Sequence, residues 1–240
     1  MKKYRKYLIL LAIVLSVFGI YYVFSSKEIN YIALGDSLVE GRNPYGEISY
    51  SYTDYLRDIL KETKRLNYYQ KYAQSGYQTS DMIAKIQEDN QLKKDLRESD
   101  LVTISIGAND FLGKIDISNL SLDVIKTYKN TIEGIFPDVE ECIKEIRKYA
   151  KENLIIIGYY NPIPFLFNTS QQELDELFAY IDDEYQKIAK EYNAIYISNY
   201  QLFKENKDFL PNPLDIHPNS KGYQEIAEII MEYLETNKVL

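Results

Sequence analysis

The stretch Asp100–Asp110, DLVTISIGAND, decides the fold. Its run from Leu101 to Ile106 is the strongest buried-strand pattern in the chain, and it gives way to Gly107, where a loop must follow. Outward from it, short β-rich apolar runs alternate with amphipathic stretches, the mark of a parallel sheet covered by helices. INYIALGDS (29–37) is a strand entering a loop, LNYYQKYA (66–73) a weaker strand, NLIIIGYYNP (153–162) a strand that stops at Pro162, and AIYIS (194–198) a fifth. Helical spacing fills the intervals. It covers Tyr52 to Lys64, TSDMIAKI (79–86) behind a Thr79 or Ser80 cap, and about Leu122 to Lys151, with Gly134 and Pro137 placed to bend or split that region. It returns in SQQELDELFAYIDDEYQKIAKEYN (170–193) and from Ser220 to Thr236, where Asn219 or Ser220 is the cap. The pattern predicts an α/β fold, a three-layer α/β/α sandwich on an open five-stranded parallel, flavodoxin-like sheet. Ligands of such sheets bind outside the carboxyl ends of the strands.

Ahead of this domain stands MKKYRKYLILLAIVLSVFGIYYVFSSKE (1–28). Four basic residues, Lys2, Lys3, Arg5 and Lys6, precede an uncharged apolar run from about Tyr7 to Phe24, long enough to cross a bilayer, which takes ~17–25 residues. No small-x-small cleavage pair follows, and Tyr21, Tyr22 and Phe24 fit an interfacial aromatic belt. The expectation is an uncleaved transmembrane signal anchor over residues 1–26. The basic cluster then stays in the cytoplasm, and residues 27–240 form one extracellular domain at the cell membrane. Cleavage would make that domain secreted instead.

Composition excludes several function classes. Taking the four basic residues of the tail from the chain's 28 leaves 24 against 36 acidic ones, a charge of about −12, which argues against a nucleic-acid partner. One cysteine, Cys142, permits no intramolecular disulfide, and its helical setting reads as a buried apolar position. One histidine, one cysteine and no H-E-x-x-H leave little to bind a metal, and no cofactor is expected. Oligomeric state leaves no trace in the sequence.

The carboxyl ends of the strands hold the candidate site residues. Gly35, Asp36 and Ser37 end the first strand in turn-forming types, without the Gly at position 39 that a G-x-S-x-G elbow needs and without G-x-G-x-x-G. Gly76 precedes the helix near Thr79 and either permits a turn or lets backbone approach a ligand. Asn109 either caps its turn or donates an amide hydrogen bond to charge developing on a substrate oxygen. Asp215 and His217 lie in DIHP (215–218), just before the last helix. A serine hydroxyl needs a base to become a nucleophile, and His217, the single imidazole of the chain, has the reference pKa suited to that task. A carboxylate would fix its tautomer.

Together the blocks GDSL (35–38), Gly76, GAND (107–110) and DIHP, in this order and at these separations, resemble those of the SGNH hydrolases, the GDSL family of lipases and esterases. The resemblance covers essentially all of the chain after the anchor, and GYYNP (158–162) looks like a segment of Gram-positive anchored or secreted members. It implies Ser37 as nucleophile, His217 as base, and an oxyanion hole built from the Ser37 and Gly76 backbone N–H groups and the Asn109 amide. One departure stands out: the family's acid usually precedes the histidine by three residues, where this chain has Leu214. Asp215, two residues ahead, is taken as the orienting acid.

The expected reaction is hydrolysis of carboxylic esters through an acyl-enzyme, on acyl lipids or short acyl esters, with deacetylation of a cell-envelope glycan as the alternative. Tyr45, Tyr50, Tyr77, Phe111, Leu112, Tyr159, Tyr160, Phe165, Leu166 and Phe167, in the loops nearby, offer apolar surface for an acyl group. A non-catalytic binding module on the same fold would be expected to lack Ser37, Asn109 or His217, and all three are present.

Overall fold

The computed structural model of the protein describes residues 28–63, 65–114, 124–161 and 171–239. Strands β1 (Ile29–Gly35), β2 (Leu66–Ala73), β3 (Leu101–Ser105), β4 (Asn153–Ile157) and β5 (Ile195–Ile197) form one sheet in the order β2-β1-β3-β4-β5. Every pairing is parallel, the doubly wound arrangement expected from the sequence. Every residue of β3 is buried, as befits an apolar run covered on both faces. β2 lies at the sheet edge and is half-exposed along much of its length, which explains its weaker, tyrosine-rich pattern.

The helices are α1 (Ser37–Glu40), α2 (Tyr52–Glu62), α3 (Thr79–Glu88), α4 (Asn90–Glu98), α5 (Ala108–Leu112), α6 (Val124–Glu133), α7 (Phe136–Arg147), α8 (Gln171–Glu191), α9 (Tyr200–Glu205) and α10 (Ser220–Thr236). Alternate strand residues face opposite layers. Ile32, Leu34, Val102 and Ile104 pack with Met82 of α3, Leu96 of α4, and Val139 and Ile143 of α7. Tyr31, Ala33, Ile155 and Ile157 pack with Leu56 and Leu60 of α2 and with Ile226, Ile230 and Leu234 of α10. Each such aliphatic side chain contributes about 1.5–3 kcal/mol when fully buried, so both layers are held by burial, without a disulfide.

Several boundaries moved. The long helical region splits at Gly134, with Pro137 in the first turn of α7, where its missing N–H costs nothing. β4 ends at Ile157, five residues short of Pro162, and frees Tyr159 and Tyr160 to leave the sheet edge. The cap of α3 is Gln78, while Thr79 is its first residue and gives its N–H and hydroxyl to Asp110. Helix α4 went unread because its stretch is mostly charged; Leu92 and Leu96, one turn apart, are buried, and Asp89 caps it. Cys142 is fully buried, and burial pushes its thiol far above the ordinary range. Among the described residues no helix is long and apolar enough to cross a membrane. The anchor expected over residues 1–26 lies outside the described residues.

Gly35 sits at φ +151°, and a Cβ placed there would come 2.3 Å from the Ser105 carbonyl oxygen of the neighbouring strand. The close approach of β1 and β3 at this level requires a glycine. Gly35→Ala is expected to cost about 3 kcal/mol or more, from overpacking against backbone that cannot retreat, seen as a lowered denaturation midpoint.

Candidate active site

The site is assembled where β1 and β3 end side by side, with Gly35 in register with Ser105. Asp36 starts α1 by accepting the Leu38 N–H at 3.0 Å, which makes Ser37 the first residue of a single tight turn. Asp36 is only 3% exposed. Burial pushes its carboxyl up to about 7 against the pull of that N–H, and the charge of Asp110 adds to the rise.

Ser37 and His217, 180 residues apart, meet directly: the ring Nε2 lies 2.8 Å from the serine Oγ. Nδ1 lies 2.7 Å from Asp215 Oδ1, and the same oxygen accepts the His217 backbone N–H at 2.8 Å. This double contact accounts for the two-residue spacing. The side chain folds back two residues along its own chain, as Asp does in an Asx-turn, and the ring bends into the same oxygen. A carboxylate on Nδ1 favours the proton there and leaves Nε2 free to accept from the serine hydroxyl. Burial holds the imidazole below its ordinary pKa, the Arg42 charge acts in the same direction, and Asp215 opposes both.

The loop carrying these two residues is fastened at several points. The Tyr160 hydroxyl donates to the Ile216 carbonyl at 2.8 Å while its ring stacks on Phe203 at 4.1 Å. Asn212 donates to the Pro44 carbonyl at 2.7 Å, and Asn219 caps α10 through the Gly222 N–H at 2.9 Å.

Asn109 lies in the first turn of α5 and gives one amide hydrogen to the Tyr77 carbonyl at 2.9 Å; Asp36 Oδ2 is 3.5 Å from the same nitrogen. Gly76 adopts φ +87°, open to glycine and strained for other residues. Its loop is clamped from two sides. Glu40, three residues after Ser37, accepts the Ser75 N–H at 2.7 Å and also the Ser75 hydroxyl. Asp110, next to Asn109, accepts the Thr79 N–H at 3.0 Å and the Thr79 hydroxyl at 2.7 Å. Among the described residues no backbone carbonyl accepts from the Ser37 or Gly76 backbone N–H.

Ser37, Asn109 and His217 line one cavity of about 130 Å³, and Asp215 stands behind His217. Gly76 does not line that cavity; its loop is bonded to the turns that carry Ser37 and Asn109. Of the aromatic residues singled out in the sequence, Phe111, Tyr159 and Tyr160 reach the cavity, as does Leu112. Tyr45 and Tyr50 are exposed, Tyr77 contributes its carbonyl, and Phe165, Leu166 and Phe167 lie outside the described residues. The clamps by Glu40 and Asp110 were missed. Only the adjacency of Glu40 to GDSL and of Asp110 to Asn109 could have pointed to them. Among the described residues no group of three His, Cys, Asp or Glu side chains is placed to hold a metal ion.

Comparison with known proteins matches residues 33–225 to the GDSL-like lipase/acylhydrolase family. The uncharacterized protein YpmR of Bacillus subtilis is 25% identical over 222 residues, 88% of this chain and 83% of that protein. The spore germination lipase LipC of Bacillus licheniformis is 25% identical over 207 residues, 83% of this chain and 93% of that one. Among solved structures, the lipase Lip_vut3 from a goat rumen metagenome superposes with a TM-score of 0.67 at 19% identity, over 85% of this chain and 96% of that chain. That last likeness concerns the fold alone. With the family match spanning most of the chain, the protein belongs to the GDSL-like lipase/acylhydrolase family, hydrolases that act on esters.

Proposed function

We propose that the protein is a serine ester hydrolase working through an acyl-enzyme. The observation that carries this reading is the unbroken chain Ser37 Oγ, His217 Nε2, His217 Nδ1, Asp215 Oδ1, with contacts of 2.8 and 2.7 Å at its two hydrogen bonds. Ser37 attacks the ester carbonyl while its proton passes to Nε2, and Asp215 stabilises the resulting imidazolium. Negative charge on the tetrahedral oxygen is met by the Ser37 and Gly76 N–H groups and by the Asn109 amide, whose plane the Tyr77 carbonyl holds. His217 then protonates the leaving alcohol, and water repeats the sequence on the acyl-enzyme.

The substrates assigned are carboxylic esters, acyl lipids or short acyl esters. The lipase among the relatives supports that choice. Deacetylation of an envelope glycan is the second reading, for which the exposed Tyr45 ring downstream of Ser37 offers a stacking face. In this proposal residues 1–26 anchor the chain in the cell membrane and residues 27–240 act outside it, or are secreted if the segment is cut.

A fluorophosphonate probe is expected to label the wild type and to leave Ser37→Ala unmarked. A labelled variant, or an unlabelled wild type, refutes the serine nucleophile. Asn109→Ala should lower kcat about 10²–10³-fold, the usual loss for one oxyanion donor, and undiminished turnover in a folded variant would remove that role. Because burial depresses the imidazole, its neutral form persists to lower pH than in a free histidine. The acid limb of kcat/KM is therefore expected below about pH 6.5. As the chain holds one histidine, its ring proton resonance reports the same midpoint without ambiguity. A midpoint above 6.5 contradicts the assignment.

A further inference from the structure

The cavity at Ser37 does not stop at the reacting groups. It continues between α5, α6 and α7 on one side and α8 on the other. Leu174, Leu177, Phe178, Ile181 and Tyr185 line it from α8. Their spacing of three and four residues places them along one face of that helix, over about 16 Å at 1.5 Å per residue. Phe111, Tyr128, Ile132 and Phe136 face them.

The distribution of polarity is uneven. Ser37, Asn109 and His217 cluster at the reacting end, and the stretch between α6 and α8 is lined by aliphatic and aromatic side chains. Asp36, Ser105 and Asn161 also contribute, and among the described residues no lysine, arginine or glutamate does. Ile132, Leu177, Phe178 and Ile181 are each at most 8% exposed, so this stretch of the wall is buried.

Protein interiors pack densely, and an unfilled gap forfeits the contacts its walls would make. An apolar space of this kind takes up apolar guests. A sugar placed in it would lose its hydration with few partners to replace it, and an acetyl group would fill only the end beside Ser37. We propose that this channel is the acyl site, and that the preferred substrates carry an unbranched acyl chain of medium or greater length, laid along the apolar face of α8 with its carbonyl at Ser37. This rests on the ester hydrolase reading and narrows it from acyl esters in general. The walls lie mainly on helices, and of the aromatics that the sequence had singled out Phe111, Tyr159 and Tyr160 take part in them.

The test compares the full chain, wild type and Leu177→Trp, on p-nitrophenyl acetate, butyrate and octanoate, with circular dichroism as the check on folding. Each methylene that enters an apolar site should raise kcat/KM roughly fourfold, so the wild type should favour octanoate strongly over acetate. The tryptophan should lower the octanoate-to-acetate ratio at least tenfold. A wild type that prefers acetate, or a folded Leu177→Trp with an unmoved ratio, overturns the proposal. Binding provides a second measurement that needs no catalysis and still decides if Leu177→Trp does not fold. Dodecanoate should raise the melting temperature of Ser37→Ala, and no shift would count against the channel. If no ester is cleaved and no fluorophosphonate label appears, the hydrolase reading fails, while dodecanoate binding to Ser37→Ala still judges the channel by itself.

Discussion

The parallel pairing of β1 with β3 is the constraint from which the site follows. Parallel neighbours end at the same edge, so the turns after Gly35 and after Ser105 leave the sheet together, one carrying Ser37 and the other Asn109. Gly35 allows the two backbones to come close enough for this. The other groups are brought to that edge by tethers. Glu40 and Asp110 hold the Gly76 loop from either side, and Tyr160 and Asn212 hold the loop of Asp215 and His217.

Three carboxyl groups of the site are separated by environment into three tasks. Asp36 is buried as the cap of α1, and the loss of water raises its pKa to about 7. Asp110 spends both oxygens on Thr79 and so aligns two turns. Asp215 puts one oxygen on both the backbone and the ring of His217. A single imidazole suffices because nearby groups with other duties fix its position and its proton.

The sheet was legible because buried parallel strands need continuous apolar runs, and those at Leu101–Ser105 and Asn153–Ile157 could be little else. Ser37, Asn109 and His217 stood out as candidates because they follow strands or precede a helix in blocks that resemble those of the GDSL family. The limits were physical as well. Residue spacing does not show that an aspartate two positions away can turn back onto a histidine, since loop geometry decides it. The periodicity of α8 marks which face is buried, but not that this face lines a space. The stop of β4 at Ile157 was hidden because Gly158 to Tyr160 serve the site while still looking like strand.

The direction of β1 has a consequence for orientation. From Ile29 to Gly35 the strand travels roughly 20 Å, and Ser37 is reached only past its far end. Whatever precedes Ile29 joins at the near one. A molecule moored through that end would hold Ser37 about one strand length away from the mooring surface. An ester embedded in that same surface would have to leave it, or the domain would have to lie down on its side, before the two could meet.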